Sequence, residues 1–495
     1  MAKLKHVIKQ LTDSDYRAIC ELLIESNAEK SALLLTALRE RQSTDAKIMQ
    51  DLEVNTNAYY TLRSRLNQRI EEYLLEQMET PRTDLLRKIL NIADVIFTKP
   101  RAIATASLRK LERELLDYDL SSELIMVYKN LKKLHVNSPD YYTYSQLYNK
   151  HVAFTLAVDK AEDILSEYFK RFGIYTLSNE PEDKQSLCLL SDEMISVAKL
   201  YESHRLYVYN SLLTVFHRLF VIGDENAPKS SEPIEDILAK TGKILASFPL
   251  DPIYHHLSLP LEYLKLEYYN HYGIFRKSDK SYEELHDSIP YLVSNFAWFS
   301  FPPRVFLSRL ERAIRLQIAD TLEAENEHTF DDIDIPDEDV PYMVHYYTYR
   351  AISCHYAGEY EKGAKWINDL FNRASLKKYP LLYTELKSIL ALQYCLANDN
   401  ELYTQVISST QRQIRIYGKA DCEHVHNFVK IMKIMTSDSK KDKTNKIMSI
   451  ANRNIYKGPN LFTPTQLIKF DERIIAIGSK TRLTHTDLED TDTDL

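Results

Sequence analysis

The chain has 495 residues, a formal net charge of −8 and 44% hydrophobic residues, which indicates a folded protein with a substantial core. Its negative charge gives no global attraction for nucleic acid or anionic membranes. It contains only 9 glycines, against the roughly 35 that average usage predicts, and no GxGxxG or GxxxxGK[ST] motif. Nucleotide folds that hold phosphate on glycine-rich loops are therefore disfavoured.

The cysteine pattern and the lengths of the apolar runs indicate the compartment. The five cysteines are far apart and form no CxxC pair, which disfavours both a disulfide framework and a zinc ribbon. The longest apolar runs fall well short of the ~20 residues that span a bilayer, and the amino-terminal residues lack the apolar stretch of a signal peptide. We therefore expect a cytoplasmic protein without a membrane contact.

Residues 1–80 are predicted to form a small helical bundle. The stretch "DAKIMQDLEVNTNAYYTLRSRL" (45–66) spaces its apolar residues so that two helices can pack across a tight turn, with Thr56 as the predicted cap of the second helix. The apolar positions are Ile48, Leu52, Val54, Tyr59 and Leu62. This pattern resembles the helix-turn-helix of bacterial regulators. Met49 departs from it where a small residue is usual, and Glu53 departs where the turn usually has glycine.

The resemblance implies that the second helix would present polar and basic side chains to DNA. The residues in the positions of such contacts are Asn55, Asn57, Tyr60, Thr61, Arg63 and Arg65. However, residues 1–80 contain 11 basic and 13 acidic residues, a net charge of −2. Because DNA affinity depends mainly on phosphate neutralisation, we expect this bundle not to bind DNA.

Residues 81–435 are predicted to be helical throughout, because apolar residues recur at the period of one helical face. The helices come in pairs. The clearest pair is "YYTYRAISCHYAGEYEKGAKWINDLFNR" (346–373), in which Gly358 and Tyr360 mark the turn. Looser pairs are predicted at 141–171, 261–289 and 381–414.

The pair at 346–373 resembles the tetratricopeptide repeat. Tyr347 takes the early aromatic position, Ala351 the small position of the first helix, and Gly363 the alanine position of the second. The resemblance implies a degenerate tetratricopeptide-like α-α superhelix, in which stacked pairs complete one another's core. An irregular helical bundle is the alternative.

In such a superhelix a peptide or protein partner would dock on the concave surface of the first helices. Tyr347, Arg350 and Tyr356 are the candidate contact residues in the best pair.

Two regions interrupt the helical pattern. Residues 323–340 contain nine acidic residues and no Lys or Arg, which predicts a solvated loop. Because like charges repel, we expect the part around 331–339 to be a mobile loop between helices. The spacing of its aspartates lacks the glycine and closing glutamate of a calcium-binding loop. Residues 436–495 are predicted to form a basic linker, one amphipathic helix that begins at Thr463 and Pro464, and a disordered acidic tail.

No residue pattern indicates catalysis. Cys422, His424 and His426 lie close in sequence, but no second cluster completes a tetrahedral metal site, and no nucleophile motif is present. We therefore expect no enzyme activity, no metal and no cofactor.

Three functions remain open from the sequence. The leading interpretation is a non-catalytic scaffold or adaptor that binds a protein or peptide partner. The main alternative is a transcriptional regulator that binds DNA through the amino-terminal bundle. A third is an assembly protein that self-associates through helical faces.

Overall fold

Helices form nearly all of the regular structure of the chain. The structure is a computed structural model, and it describes the residues 4, 8, 11, 13–26, 28–40, 45–52, 54–77, 81–117, 120–228, 231–248, 251–293, 303–330, 333, 335–418, 422–437, 442–453 and 462–480. Across these ranges the fold is all-α, and no strand occurs. The chain divides into two compact units, Met1–Val152 and Ala153–Leu495.

The first unit contains two separate apolar cores. Its helices are α1 Asp13–Glu25, α2 Glu29–Glu40, α3 Asp45–Asp51, α4 Thr56–Gln77, α5 Pro81–Leu90, α6 Ile92–Thr98, α7 Arg101–Asp117 and α8 Ser121–Leu134. One core lies between Leu4 and Tyr73, and it includes the fully buried Ile48 and Tyr59 that the sequence pattern predicts. The other core extends from Leu85 to Tyr144. The predicted domain boundary at residue 80 falls between these two cores.

The longest helix, α9, is continuous from Asp140 to Ser178. The prediction of a helical pair with a polar turn at 141–171 is therefore wrong. The polar stretch that suggested a turn contains no Gly or Pro. Without a residue that favours positive φ or lacks an N–H, the chain keeps the helical hydrogen bonds.

The second unit begins within α9 and continues as a series of packed helices. They are α10 Pro181–Ala198, α11 His204–His217, α12 Ile234–Ser247, α13 Pro252–His271, α14 Phe275–Leu285, α15 Ile289–Val293, α16 Val305–Leu316, α17 Leu322–Thr329, α18 Val340–Ala357, α19 Tyr360–Arg373, α20 Pro380–Leu396, α21 Asn400–Tyr417, α22 Glu423–Thr436, α23 Lys443–Arg453 and α24 Glu472–Gly478. Among the described residues of this unit, four shorter 3-10 or π segments also occur, at Arg218–Ile222, Asp224–Asn226, His286–Ser288 and Pro464–Leu467. One large apolar cluster extends through this unit.

The pairs predicted at 261–289, 346–373 and 381–414 are present as helices joined by tight turns. Between α18 and α19 the turn depends on Gly358, whose φ of 82° is accessible to glycine at little cost. Asp399 accepts a hydrogen bond from the Leu402 N–H at 3.0 Å and so caps α21. Gly363 lets α19 approach α18 closely, because a Cβ there would stand 3.1 Å from the Ala351 carbonyl oxygen.

The acidic stretch 323–340 is not a loop along its whole length. Its first part forms α17, and Asp339 caps α18 by accepting the Tyr342 N–H at 3.0 Å. Glu323 is only 2% exposed because Arg350 and Lys362 supply its counter-charges. The prediction failed because it considered only local charge, whereas the compensating cations come from later helices. Asp331, Asp332 and Asp334 lie outside the described residues.

The carboxy-terminal region also differs from its prediction. Part of the predicted basic linker belongs to a helix, α23, which begins at Lys443. The single helix expected from Thr463 is instead a 3-10 turn at Pro464–Leu467, a non-helical stretch and then α24. The acidic tail 484–495 lies outside the described residues. In the part of the chain that the structure covers, no helix is both long enough and apolar enough to cross a bilayer.

Candidate functional site

Residues 462–480, called here the C-terminal segment, pack against the first helices of three successive pairs, α18, α20 and α22. Each of the three helices contributes a side chain to this contact: Tyr356 on α18, Glu385 on α20 and Phe428 on α22. We call the side of α18, α20 and α22 that the segment contacts the first-helix surface. The segment is a non-local addition, since its hydrogen bonds to Tyr356 and Glu385 join residues 80 or more positions apart in the chain.

A buried carboxylate lies at the centre of the first-helix surface. Glu385 is 1% exposed on α20, most of whose buried residues are apolar. Its Oε2 accepts hydrogen bonds from the Thr465 N–H at 3.2 Å and from the Thr465 hydroxyl at 2.9 Å. Its Oε1 lies 2.8 Å from Nε2 of His424 on α22. These contacts offset the cost of removing the carboxylate from water.

Tyr356, near the end of α18, binds the backbone of the segment. Its hydroxyl donates to the Leu467 carbonyl oxygen at 2.7 Å and accepts from the Lys469 N–H at 3.2 Å. Burial raises the pKa of Tyr356 to about 12, so the phenol keeps the proton that it donates. The contact is independent of the side chains of Leu467 and Lys469.

Two phenylalanines anchor the part of the segment that precedes α24. The Phe462 ring packs on His345, with 4.4 Å between ring centroids, and the Phe462 N–H donates to the Thr176 carbonyl oxygen at 3.1 Å. Phe470 packs on Phe428 of α22 at 5.2 Å. Both phenylalanines of the segment are at most 7% exposed.

Two further histidines, His345 and His355 of α18, are buried and neutral. His345 Nδ1 donates to the Pro341 carbonyl oxygen at 2.7 Å, and His355 Nδ1 accepts from the Gln393 amide at 3.2 Å. Burial lowers the pKa of both His345 and His355 to about 4. Neither ring therefore carries charge at neutral pH.

The three predicted partner-contact residues occupy different environments. Tyr356 contacts the C-terminal segment, whereas Tyr347 and Arg350 are each 5% exposed in the interior of the best pair. Arg350 is paired with Glu323 at 2.9 Å, and its guanidinium lies 4.6 Å from the centre of the Trp366 ring. Tyr347 accepts a hydrogen bond from Arg373. In this conformation Tyr347 and Arg350 hold α17, α18 and α19 together and present little surface to a partner.

Candidate metal ligands in the described ranges have other partners. Glu323, Cys354 and Glu359 bring their ligand atoms within 4.8 Å of one another. The Lys362 ammonium already lies 2.9 Å from Glu323 and 3.2 Å from Glu359. Burial would lower the pKa of Lys362, but its hydrogen bonds to Glu327 and Glu323 outweigh this and raise it. The lysine thus supplies the cation of this cluster.

The sequence cluster near Cys422 is likewise engaged. Cys422 is buried, and His424 is bound to Glu385 as described above.

The amino-terminal bundle has two helices, α3 and α4, at the predicted turn. Asn55 caps α4, since its Oδ1 accepts the Ala58 N–H at 2.8 Å, so the predicted cap at Thr56 was one residue late. Thr61 and Arg65 are exposed, and the Arg63 guanidinium lies 5.8 Å from the centre of the Tyr59 ring. The side chains of Asn57 and Tyr60, and Glu53 as a whole, lie outside the described residues.

Comparison of the chain with known protein families, with curated proteins and with solved structures found no match.

Proposed function

We propose that the protein is a non-catalytic scaffold that binds other proteins through tetratricopeptide-like helical pairs. The observation that carries the proposal is the packing of the C-terminal segment, a 3-10 turn and a short helix joined by a non-helical stretch, on the first helices α18, α20 and α22. In repeat proteins, stacked helical pairs create long surfaces suited to extended ligands. Here the same surface has both apolar positions for side chains and polar groups for a peptide backbone.

The chemistry of this surface supports binding better than catalysis. Glu385 and His424 hold each other and Thr465 in a buried network, and the imidazoles of His345 and His355 are also buried. A general acid or base needs to reach a reacting group directly or through one water. These side chains instead stabilise the contact between the first-helix surface and the C-terminal segment of the same chain.

A site-specific photo-crosslinking experiment tests the proposal. A photoreactive residue is placed in the full chain at Glu423, the exposed neighbour of His424 on α22, and the protein is incubated with native lysate. The matched control carries the probe at Lys280 on α14, whose side chain is 78% exposed. We expect discrete protein adducts at position 423 that persist after nuclease treatment. Equal adducts at both positions would contradict the proposal.

The second candidate function is a DNA-binding regulator, favoured by the turn between α3 and α4 and by the exposed Thr61 and Arg65. If the bundle binds DNA, R63A/R65A should weaken binding at every sequence and lower the salt slope by roughly one per lost phosphate contact. Titration of the full chain with mixed genomic DNA at roughly 50 mM salt, where phosphate contacts are strong, measures this. We expect no binding, because the bundle has a net charge of −2.

A further inference from the structure

Four backbone hydrogen bonds hold the C-terminal segment. The Thr465 N–H, the Leu467 carbonyl and the Lys469 N–H bond to side chains of the first-helix surface, and the Phe462 N–H bonds to the Thr176 carbonyl oxygen on α9. Main-chain hydrogen bonds tolerate different side chains, as in other modes of peptide recognition. The exposed side chains of the segment, such as Lys469 and Glu472, could therefore be changed without loss of these four bonds, whereas Ile468, Ile474 and Ile475 are buried.

Three side chains add selectivity to the backbone contacts. Phe462 and Phe470 fill apolar positions against His345 and Phe428. The Thr465 hydroxyl, placed between them, satisfies the buried Glu385 carboxylate at 2.9 Å. A segment without a hydroxyl here would leave a buried charge short of a donor, which is a strong basis for rejection.

We propose that the first-helix surface is a peptide-binding site whose partner carries a short segment with an aromatic residue, a Thr or Ser three positions later within a 3-10 turn, and a second aromatic residue five positions after that. This inference rests on the proposed function and specifies its partner. The chain's own "FTPTQLIKF" (462–470) has this pattern and occupies the site as an intramolecular ligand. A partner must compete with it, and a tethered ligand has an effective concentration of roughly millimolar.

The test measures binding of a fluorescent peptide with the sequence of residues 462–480 to the full chain. Two single variants, T465V and F470A, each weaken the binding of the C-terminal segment to the first-helix surface. Two are used so that the test can still be made if one of them does not fold. K469A is the matched control, because only the backbone N–H of Lys469 contacts the surface and its side chain is exposed. Circular dichroism and thermal melts establish that each protein is folded.

We expect both T465V and F470A to bind the peptide at least about tenfold more tightly than the wild type, because they remove intramolecular competition. K469A should bind like the wild type. A peptide with the same Thr-to-Val change should bind the variants about tenfold more weakly, as expected when a hydrogen bond to a charged group is lost, whereas a Thr-to-Ser peptide should retain binding.

Three outcomes would overturn the inference. One is no peptide binding by the folded variants, and another is equal binding of the Thr and Val peptides. The third is a concentration-dependent dimer of the variants in light scattering, which would show that the surface takes a second copy of this chain. If crosslinking at position 423 still captures proteins, only the specificity fails and the scaffold proposal stands. If crosslinking also fails, both proposals fail.

Discussion

At the scale of single residues, Glu385 links the core to the C-terminal segment. Its carboxylate joins α20 to His424 on α22 and to Thr465, and all three residues are almost fully buried. A buried carboxylate is tolerated only when its lone pairs are used. Glu385 therefore makes the packing of the second unit depend on the position of residue 465.

We predict that Glu385→Ala lowers the free energy of unfolding by about 3–5 kcal/mol, the usual effect of removing one partner of a buried charged pair. His424 and the Thr465 N–H would be left buried without their acceptor. Glu385→Gln keeps an acceptor oxygen and should cost less. Urea denaturation followed by circular dichroism measures both changes.

Asp163→Ala is the control for this prediction, because Asp163 is an exposed acid on α9 and its loss should change stability by no more than about 0.5 kcal/mol. A Glu385→Ala protein as stable as this control would show that the network contributes nothing.

At the scale of elements, α18 carries two histidines whose neutrality depends on burial. The pKa values of His345 and His355 are both lowered from 6.5 to about 4. The unfolded chain thus binds more protons than the folded one between about pH 6.5 and pH 4. Stability contributed by these histidines is fully present above pH 6.5 and is lost as the pH falls through this window.

We predict that the second unit becomes less stable between pH 7 and pH 5, by up to about 2 kcal/mol for each of the two histidines. Urea midpoints at the two pH values measure the loss. H345Q/H355Q should show a smaller loss, with a remainder from the buried His217, whose pKa is also lowered to about 4. An unchanged loss in the double variant would assign the pH dependence to other groups.

An element could be predicted from sequence when the residues that determine it lie close together in the chain. The pair 346–373 was predicted correctly because Gly358 marks the turn and apolar periodicity marks both helices. The loop prediction for the acidic stretch was wrong for its first part, because the cations that bind Glu323 lie on α18 and α19. The turn predicted within α9 was wrong because that stretch contains no Gly or Pro. An acidic residue among the apolar positions of a helix, such as Glu385, was a local signal that could have been noticed, whereas its partner Thr465 is 80 residues away.

At the scale of the whole molecule, the apolar cores are confined to the two units. Two cores lie between Leu4 and Tyr144, and the third begins at Phe154. Each compact unit thus buries its own apolar surface, which is the usual basis of independent unfolding.

We predict that thermal unfolding is not a single two-state transition. The calorimetric enthalpy should exceed the van't Hoff enthalpy, because separate cores unfold as separate cooperative units. Glu385→Ala should shift only the transition of the second unit. One transition with equal enthalpies would show that the two units unfold together.

The stacking of Arg350 on Trp366 gives this chain a built-in optical reporter. The sequence has two tryptophans, and Trp298 lies outside the described residues. Replacing Trp298 by phenylalanine leaves one fluorophore, and its ring lies 4.6 Å from the Arg350 guanidinium and 5.3 Å from the Tyr347 ring. Its emission spectrum should therefore respond when the ion pair of Arg350 with Glu323 opens, so the state of the α18–α19 pair can be followed in real time without an attached dye.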